Sequence, residues 1–589
     1  MPTTDSALQR RLNQLRHSLA QVDALPQLSA IAIVIGALCG LLIVAFRLAL
    51  EGPQHFFSNM SHAEDFEALS APMRAAVLIG GSLVIALVLR QLNKYQRQLS
   101  VAHVIDRVHN HQGAMPASNW LAQFGLAVVA VGSGHSVGRE GPAVHIGAGA
   151  ASQLGQWLRL PNNSMQTLIA CGVAAGIAAS FDTPLAGVIF AMEVILMEYT
   201  IVGFVPVILA SVIGAAISKS LIGEPVTFDP ANSSMNSLLE LSLIALCGFV
   251  IAALAGLYIR LNLLASRLNH WRVELRVLLA GLLTAAVAWH VPEIMGLGYD
   301  TINSAINGEL LLGSLLLIAA AKLLVTPTVV ALGIPGGLIG PSLLIGACVG
   351  AAIGSLAQAL DPGLNINIGL YALLGMAGMM AATINAPLTA LVTVLELSHN
   401  PGVIFPAMLI IVVSCINTRS FFRVKGIFIE QLKRSGRDIE LGPAARALQR
   451  TGVFGAMDRR FVVADEQISL KDAQYVLSTQ PRWLVFSQGE KLYALWASDL
   501  ASFIDQAPQA VVDGEKAINL AEVPGRRHMM HAIAESASLY DALKLIRKSQ
   551  CEVLYVSASL LSHRTVHGVL SLQDIQNHYQ PKEMRDALA

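Results

Sequence analysis

Charge is scarce in this 589-residue sequence. Only 13% of its residues are Asp, Glu, Lys or Arg, about half the roughly 25% of an ordinary soluble domain. The 39 basic and 39 acidic residues cancel, so no electrostatic footprint for nucleic acid is present. Six cysteines, Cys39, Cys171, Cys247, Cys348, Cys415 and Cys551, lie far apart without CxxC spacing. They form no disulfide framework and read as reduced packing residues. His103, Asp106, His109 and His111 lack tight ligand spacing, and no metal is expected. No GxSxG elbow accompanies Ser133, Ser136, His135 or His145, which disfavours an intramembrane hydrolase. The apolar run that follows the polar N-terminus is too long for a cleaved signal.

Apolar residues fill the space that charge leaves. They make up 54% of the chain and recur in runs at 29–50, 75–89, 201–218, 241–259, 277–291, 310–332 and 403–414. Several runs reach the roughly 17 to 25 residues that span a bilayer as a helix. Others are short or interrupted, and non-helical backbone at membrane depth is tolerated only inside protein or around a cavity. The chain therefore reads as an α-helical polytopic membrane protein with broken helices. Arg10, Arg11 and Arg16 on one side, and Arg423, Lys425, Lys433, Arg434 and Arg437 after the last run, place both termini in the cytoplasm. The expected location is a bacterial-type inner, or plasma, membrane. The expected divisions are a cytoplasmic segment (1–27), a membrane domain of two pseudo-symmetric halves (28–435), a linker (436–451) and a soluble α/β tandem repeat (452–589).

The membrane repeat is visible in matched motifs. "GPAVHIGA" from Gly141 corresponds to "GPSLLIGA" from Gly340, and "DTPLAGVIFAMEV" (182–194) to "NAPLTALVTVLEL" (385–397). Pro184 and Glu193 stand nine apart, as do Pro387 and Glu396. Interrupted segments at corresponding places of two halves point to a binding site at the repeat interface. "GREGP" and "GGLIGP" both read as glycine-rich turns entering helices. Such starts leave backbone N–H groups unpaired, carry about half a positive charge and attract anions. Within the first lie Arg139 and Glu140, the only Lys, Arg, Asp or Glu between Arg107 and Arg159. An ionised Glu140 is itself an anion beside donors suited to anions. Once protonated it loses that attraction, so one carboxyl group can gate anion movement and couple it to protons.

"GREGP", "GIPGGLIGP" and "FDTPLAGVIFAMEV" resemble the CLC family of chloride channels and chloride/proton exchangers, over roughly residues 30 to 435. The resemblance implies inverted repeats and a homodimer with one pore per subunit. It makes Glu140 the gating residue and places Gly138, Arg139, Gly141, Gly337, Leu338, Ile339 and Phe428 around the anion. Transport of chloride or other monovalent anions follows, with proton exchange slightly preferred over a voltage- or pH-gated channel. The sequence also departs from the family. Leu99 stands where a coordinating serine is usual, with Ser100 adjacent, and Phe428 stands where a tyrosine is usual. Weaker anion binding is expected, since each charge-assisted hydrogen bond lost removes about 1.5 to 3 kcal/mol. The inner glutamate of many exchangers is replaced by Val194. Its neighbour Glu193 reads as a structural or water-organising carboxylate, because Glu396 repeats it in the other half.

The soluble part repeats as well. "SLKDAQYVL", "RWLVFS", "KLYALWA" and "SDLASFIDQ" recur as "SLYDALKLIRKS", "CEVLYVS", "TVHGVLSL" and "SLQDIQNHY". This order resembles a pair of CBS domains, which implies an adenine nucleotide as a possible ligand. Gly568, Ser571 and Asp574 match the ribose-contacting pattern. In the first repeat Tyr493 and Trp496 replace the glycine and the hydroxyl, so at most one such site is expected. A structural or dimer-stabilising module is the larger expectation.

Overall fold

The computed structural model describes residues 25–52, 66–199, 201–223, 237–437, 451–489, 491–506, 517–557 and 565–579, with 228, 235, 448 and 449. Most of the expected N-terminal segment and of the linker lies outside the described residues. The chain divides into two compact units, one within Leu28–Gln156 and Gln166–Ile439, the other chiefly within Glu440–Ala589.

In the first unit, among the described residues, eight helices are long and apolar enough to cross a membrane, and the protein is a multi-pass membrane protein. Shorter apolar helices lie between them, among them Ala117–Gly132 and Pro387–Ser398. The repeat is built from α1 (Glu140–Trp157), α2 (Asn162–Phe181) and α3 (Pro184–Phe190). Helix α4 (Tyr299–Ile306) precedes the second set: α5 (Ile339–Leu360), α6 (Ile368–Ile384) and α7 (Pro387–Ser398). Both Pro184 and Pro387 open their helices, where a missing N–H costs nothing. Helices α1 and α2 cross on small residues. A Cβ on Gly176 would come 2.6 Å from the Ala143 carbonyl oxygen. Helices α5 and α6 cross in the same manner at Gly346 and Gly375.

In the second unit, six strands among the described residues form one sheet in the order β1-β3-β4-β6-β7-β8. They are β1 (Phe461–Ala464), β3 (Trp483–Gln488), β4 (Lys491–Trp496), β6 (His528–Ala534), β7 (Val553–Ser557) and β8 (Gly568–Ser571). The short β2 (Gln467–Ile468) and β5 (Ile518–Asn519) pair separately. Each half repeats one pattern: β1 runs parallel to β3 and β3 antiparallel to β4, while β6 runs parallel to β7 and β7 antiparallel to β8. The leading strands β1 and β6 were not among the elements expected from sequence. The helices α8 (Leu470–Ser478), α9 (Ala497–Asp505), α10 (Leu539–Ser549) and α11 (Leu572–Tyr579) complete the repeats. Three of them begin with the spelling S-L-x-D. In each, the serine hydroxyl accepts the N–H of the aspartate three residues on. At α9 Trp496 holds the capping position instead, without a side-chain cap.

Candidate functional site

The two glycine-rich turns meet. Gly138 N–H donates to Gly337 O at 2.9 Å, and Gly337 N–H donates to Gly138 O at 2.6 Å. The bridge is antiparallel, so the two turns run in opposite directions, as an inverted pair requires. Glycine is needed because nothing larger fits: a Cβ on Gly141 would lie 2.9 Å from Gly337 Cα. Helices α1 and α5 thus start side by side, and the unpaired donors of both starts converge.

The carboxylate of Glu140 occupies that convergence. Its side chain is buried, with Oε1 accepting from the Tyr299 hydroxyl at 3.2 Å. Backbone N–H groups of Glu140 itself and of Gly340 point to it. A Cβ on Gly337 would come 2.8 Å from Oε2, and one on Gly138 would overlap it. A carboxyl group of the protein itself therefore sits between two helix N-termini.

The neighbours of Glu140 are held in place by side chains from elsewhere in the membrane unit. The Arg139 guanidinium lies 5.2 Å from the Phe181 ring centre and 5.1 Å from that of Tyr299, a cation–π arrangement. Fully buried Lys322 donates to the Ile294 and Gly296 carbonyls at 3.1 Å each, fixing the loop that leads into α4 and Tyr299. The Tyr258 hydroxyl donates to Leu338 O at 3.0 Å and so steadies the second turn. Sequence gave one weak sign of Tyr299, the glycine-flanked "GLGYD" at a helix start, and none of Tyr258.

Other expected residues have partners of their own. Ser100 caps Val101–Asn110 by accepting the His103 N–H at 3.2 Å, and Leu99 precedes it. Both line a cavity of about 540 Å³ that also borders Gly333 to Pro335 and Arg276. Phe428 is buried in the first turn of Ile427–Arg434. Among the described residues no hydrogen bond joins Leu99, Ser100 or Phe428 to Glu140. The serine–histidine pairs weighed for a hydrolase do not form. Ser133 donates to Val129 O and Ser136 pairs with Thr326, while His135 meets Ser82 and His145 meets His103.

Glu193 and Glu396 have exchanged helices. The Glu193 carboxylate accepts the Leu388 and Thr389 N–H groups at 3.2 and 2.8 Å, and the Thr389 hydroxyl at 2.7 Å. That of Glu396 accepts the Leu185 and Ala186 N–H groups at 2.9 and 2.7 Å. Each half therefore caps the proline-led helix of the other. Val194 is buried beside Glu193. A small cavity of about 30 Å³ is lined by Glu140, Thr183, Ile339, Thr389 and Leu397 among others, room for about two waters. In the soluble unit, Gly568 and Ser571 lie on β8 and Asp574 in the first turn of α11.

The profile of the voltage gated chloride channel family matches residues 80–419, more than half of the sequence. The chain belongs to that family. A ClcB-like protein of Ralstonia nicotianae is 28% identical over 427 residues, covering 71% of this chain and 99% of that protein. The H+/Cl− exchange transporter ClcA of Vibrio cholerae is 31% identical over 310 residues, covering 50% of this chain and 66% of that protein. Among solved structures, a slow cyanobacterial Cl−/H+ antiporter superposes with a TM-score of 0.62 at 21% identity, covering 69% of this chain and 97% of that one. This likeness bears out the expected CLC-type architecture of the membrane unit.

Proposed function

We propose that this chain carries chloride across a membrane in exchange for protons, with Glu140 as the residue that both ions address. The observation behind the reading is the position of its carboxylate, between the starts of α1 and α5 and against Gly138, Gly337 and Gly340. Two helix ends hold an anion without a full opposing charge, which lets chloride bind and leave. Chloride and the carboxylate compete for one place. Protonation removes the negative charge that draws Glu140 there and yields the place to chloride. Gly138, Gly141, Gly337, Leu338 and Ile339 supply the surrounding backbone, and Arg139 orients the aromatic wall. Loss of hydroxyls at Leu99 and Phe428 leaves binding to rest mainly on backbone donors. ClcA of Vibrio cholerae, an exchange transporter by name, supports proton coupling.

One observation favours a channel instead. Val194 carries no proton, and Glu193 is committed to Leu388 and Thr389. Purified protein in liposomes decides between them. An imposed chloride gradient that drives protons uphill establishes exchange, and chloride flux without proton movement establishes the channel. The active form is a homodimer with one pore per subunit in a bacterial inner membrane, both termini cytoplasmic. Serine-hydrolase activity is not part of this reading.

A further inference from the structure

The resemblance of the soluble unit to a CBS pair implies an adenine nucleotide, whose ribose would use Gly568, Ser571 and Asp574. Each of these residues is already engaged by the chain itself. Over Gly568 lies Met457, whose Cγ would stand 2.8 Å from an added Cβ. Met457 cannot drift away, because the next residue is tied to β8: Asp458 N–H donates to Val569 O at 2.8 Å, and Val569 N–H returns to Asp458 O at 2.9 Å. The Ser571 N–H and hydroxyl both donate to Asp574 Oδ2, at 3.0 and 2.6 Å. That leaves Oδ1 as the oxygen for a ribose hydroxyl, and Arg482 Nη1 donates to it at 2.8 Å.

Arg482 is itself enclosed. The same Nη1 donates to Asp458 Oδ2 at 3.0 Å. Its guanidinium stands 5.0 Å from the Trp496 ring centre and 5.8 Å from that of Trp483. Burial alone would raise the Asp458 carboxyl, yet bonds from Arg460 and Arg482 hold it below its ordinary value. One side chain at the start of β3, in the first repeat, thus joins a carboxylate on α11, in the second, to the segment that enters the module.

The corresponding place in the other half carries the opposite charge. Glu552 precedes β7 as Arg482 precedes β3, and it is paired to Arg526 at 2.6 Å and to His528 at 3.2 Å. The His528 ring stands edge-on to Trp483 at 5.8 Å, and Trp483 stacks on Trp496 at 4.1 Å. Trp496 and Tyr493 occupy the places of Ser571 and Gly568. A nucleotide would have to displace a half-buried cation paired to two carboxylates in one half and two aromatic rings in the other.

We propose that the C-terminal module binds no adenine nucleotide and is held closed by its own side chains, with Arg482 as the internal cation that clasps the two repeats. Titration of the full chain in detergent with ATP, ADP and AMP tests this through tryptophan emission, to which Trp483 and Trp496 contribute, and through the melting temperature. No saturable change up to millimolar nucleotide is expected, and a dissociation constant below a millimolar for any of the three overturns the proposal. A double-mutant cycle tests the clasp itself. Arg482→Met and Asp574→Asn should each lower the melting temperature of the module, and together by clearly less than the sum. Strict additivity would show that the two residues do not act as one clasp.

Discussion

The two helix starts at the centre of the membrane unit share a frame of glycines and proline and differ at the two positions between them, Arg139 and Glu140 against Leu338 and Ile339. Gly138, Gly141 and Pro142 correspond to Gly337, Gly340 and Pro341, and the glycines exchange the same backbone bonds. Where the first start carries Glu140, the second carries Ile339, buried against the cavity that Glu140 also lines. Glu193 and Glu396, by contrast, occur in both halves and do the same work in each. The pairing teaches which features belong to the scaffold. Those present twice shape the site, and Arg139 and Glu140, present once, make the two helix starts inequivalent. A second difference is that the helix of Glu193 widens to a π turn over Ala191–Leu196, whereas that of Glu396 stays α-helical throughout.

Removing the asymmetric group should have the largest effect. Glu140→Gln removes the one carboxyl group at the two starts, and liposome flux should lose its pH response and all proton coupling. Persistence of both would remove Glu140 from the role assigned to it. Altering the shared frame comes next. Gly337→Ala pushes a methyl against Glu140 Oε2 and the Gly141 N–H, each 2.8 Å from the new carbon, an overpacking of about 1 to 3 kcal/mol. Flux should fall steeply, while the melting temperature falls by a few degrees.

The symmetric carboxylates provide the control. Glu193→Gln and Glu396→Gln each weaken a charged cap, worth about 1.5 to 3 kcal/mol for hydrogen bonds to a charged group. Their effects on melting temperature should be similar, and the proton-to-chloride ratio should be unchanged in both. A ratio altered by Glu193→Gln alone would give that residue a part in proton transfer. The smallest effect belongs to the soluble unit. Burial, with Arg526 nearby, holds the His528 imidazole below its ordinary value despite Glu552. The unfolded chain therefore takes up a proton before the folded one does, and stability falls as pH drops below about 6.5. Near-ultraviolet dichroism, to which Trp483 and Trp496 contribute, should show a lower melting temperature at pH 5 than at pH 7. His528→Asn should flatten that dependence.

Much of the membrane site was legible because it is written in backbone terms. Glycine and proline at helix starts determine geometry wherever they occur, so "GREGP" and "GGLIGP" announced two converging ends. The nine-residue spacing of proline and glutamate announced a repeated carboxylate. What it did not announce was that each carboxylate reaches across to the other half, because a sequence shows spacing within a helix and not its neighbour. The partners of Tyr258, Tyr299 and Lys322 were hidden for the same reason: they are 80, 159 and up to 28 residues away. In the soluble unit the S-L-x-D caps were readable, since a capping box is local. The clasp at Arg482 was not, because it closes over 92 residues to Asp574.

The exchanged glutamates also set a schedule for biogenesis. The N–H groups at the start of α3 receive their partner from Glu396, 211 residues later for Leu185. At roughly 5 to 20 residues per second, translation takes about 10 to 40 s to reach it. Throughout that interval the start of α3 lacks the acceptor that Glu396 gives it in the finished fold.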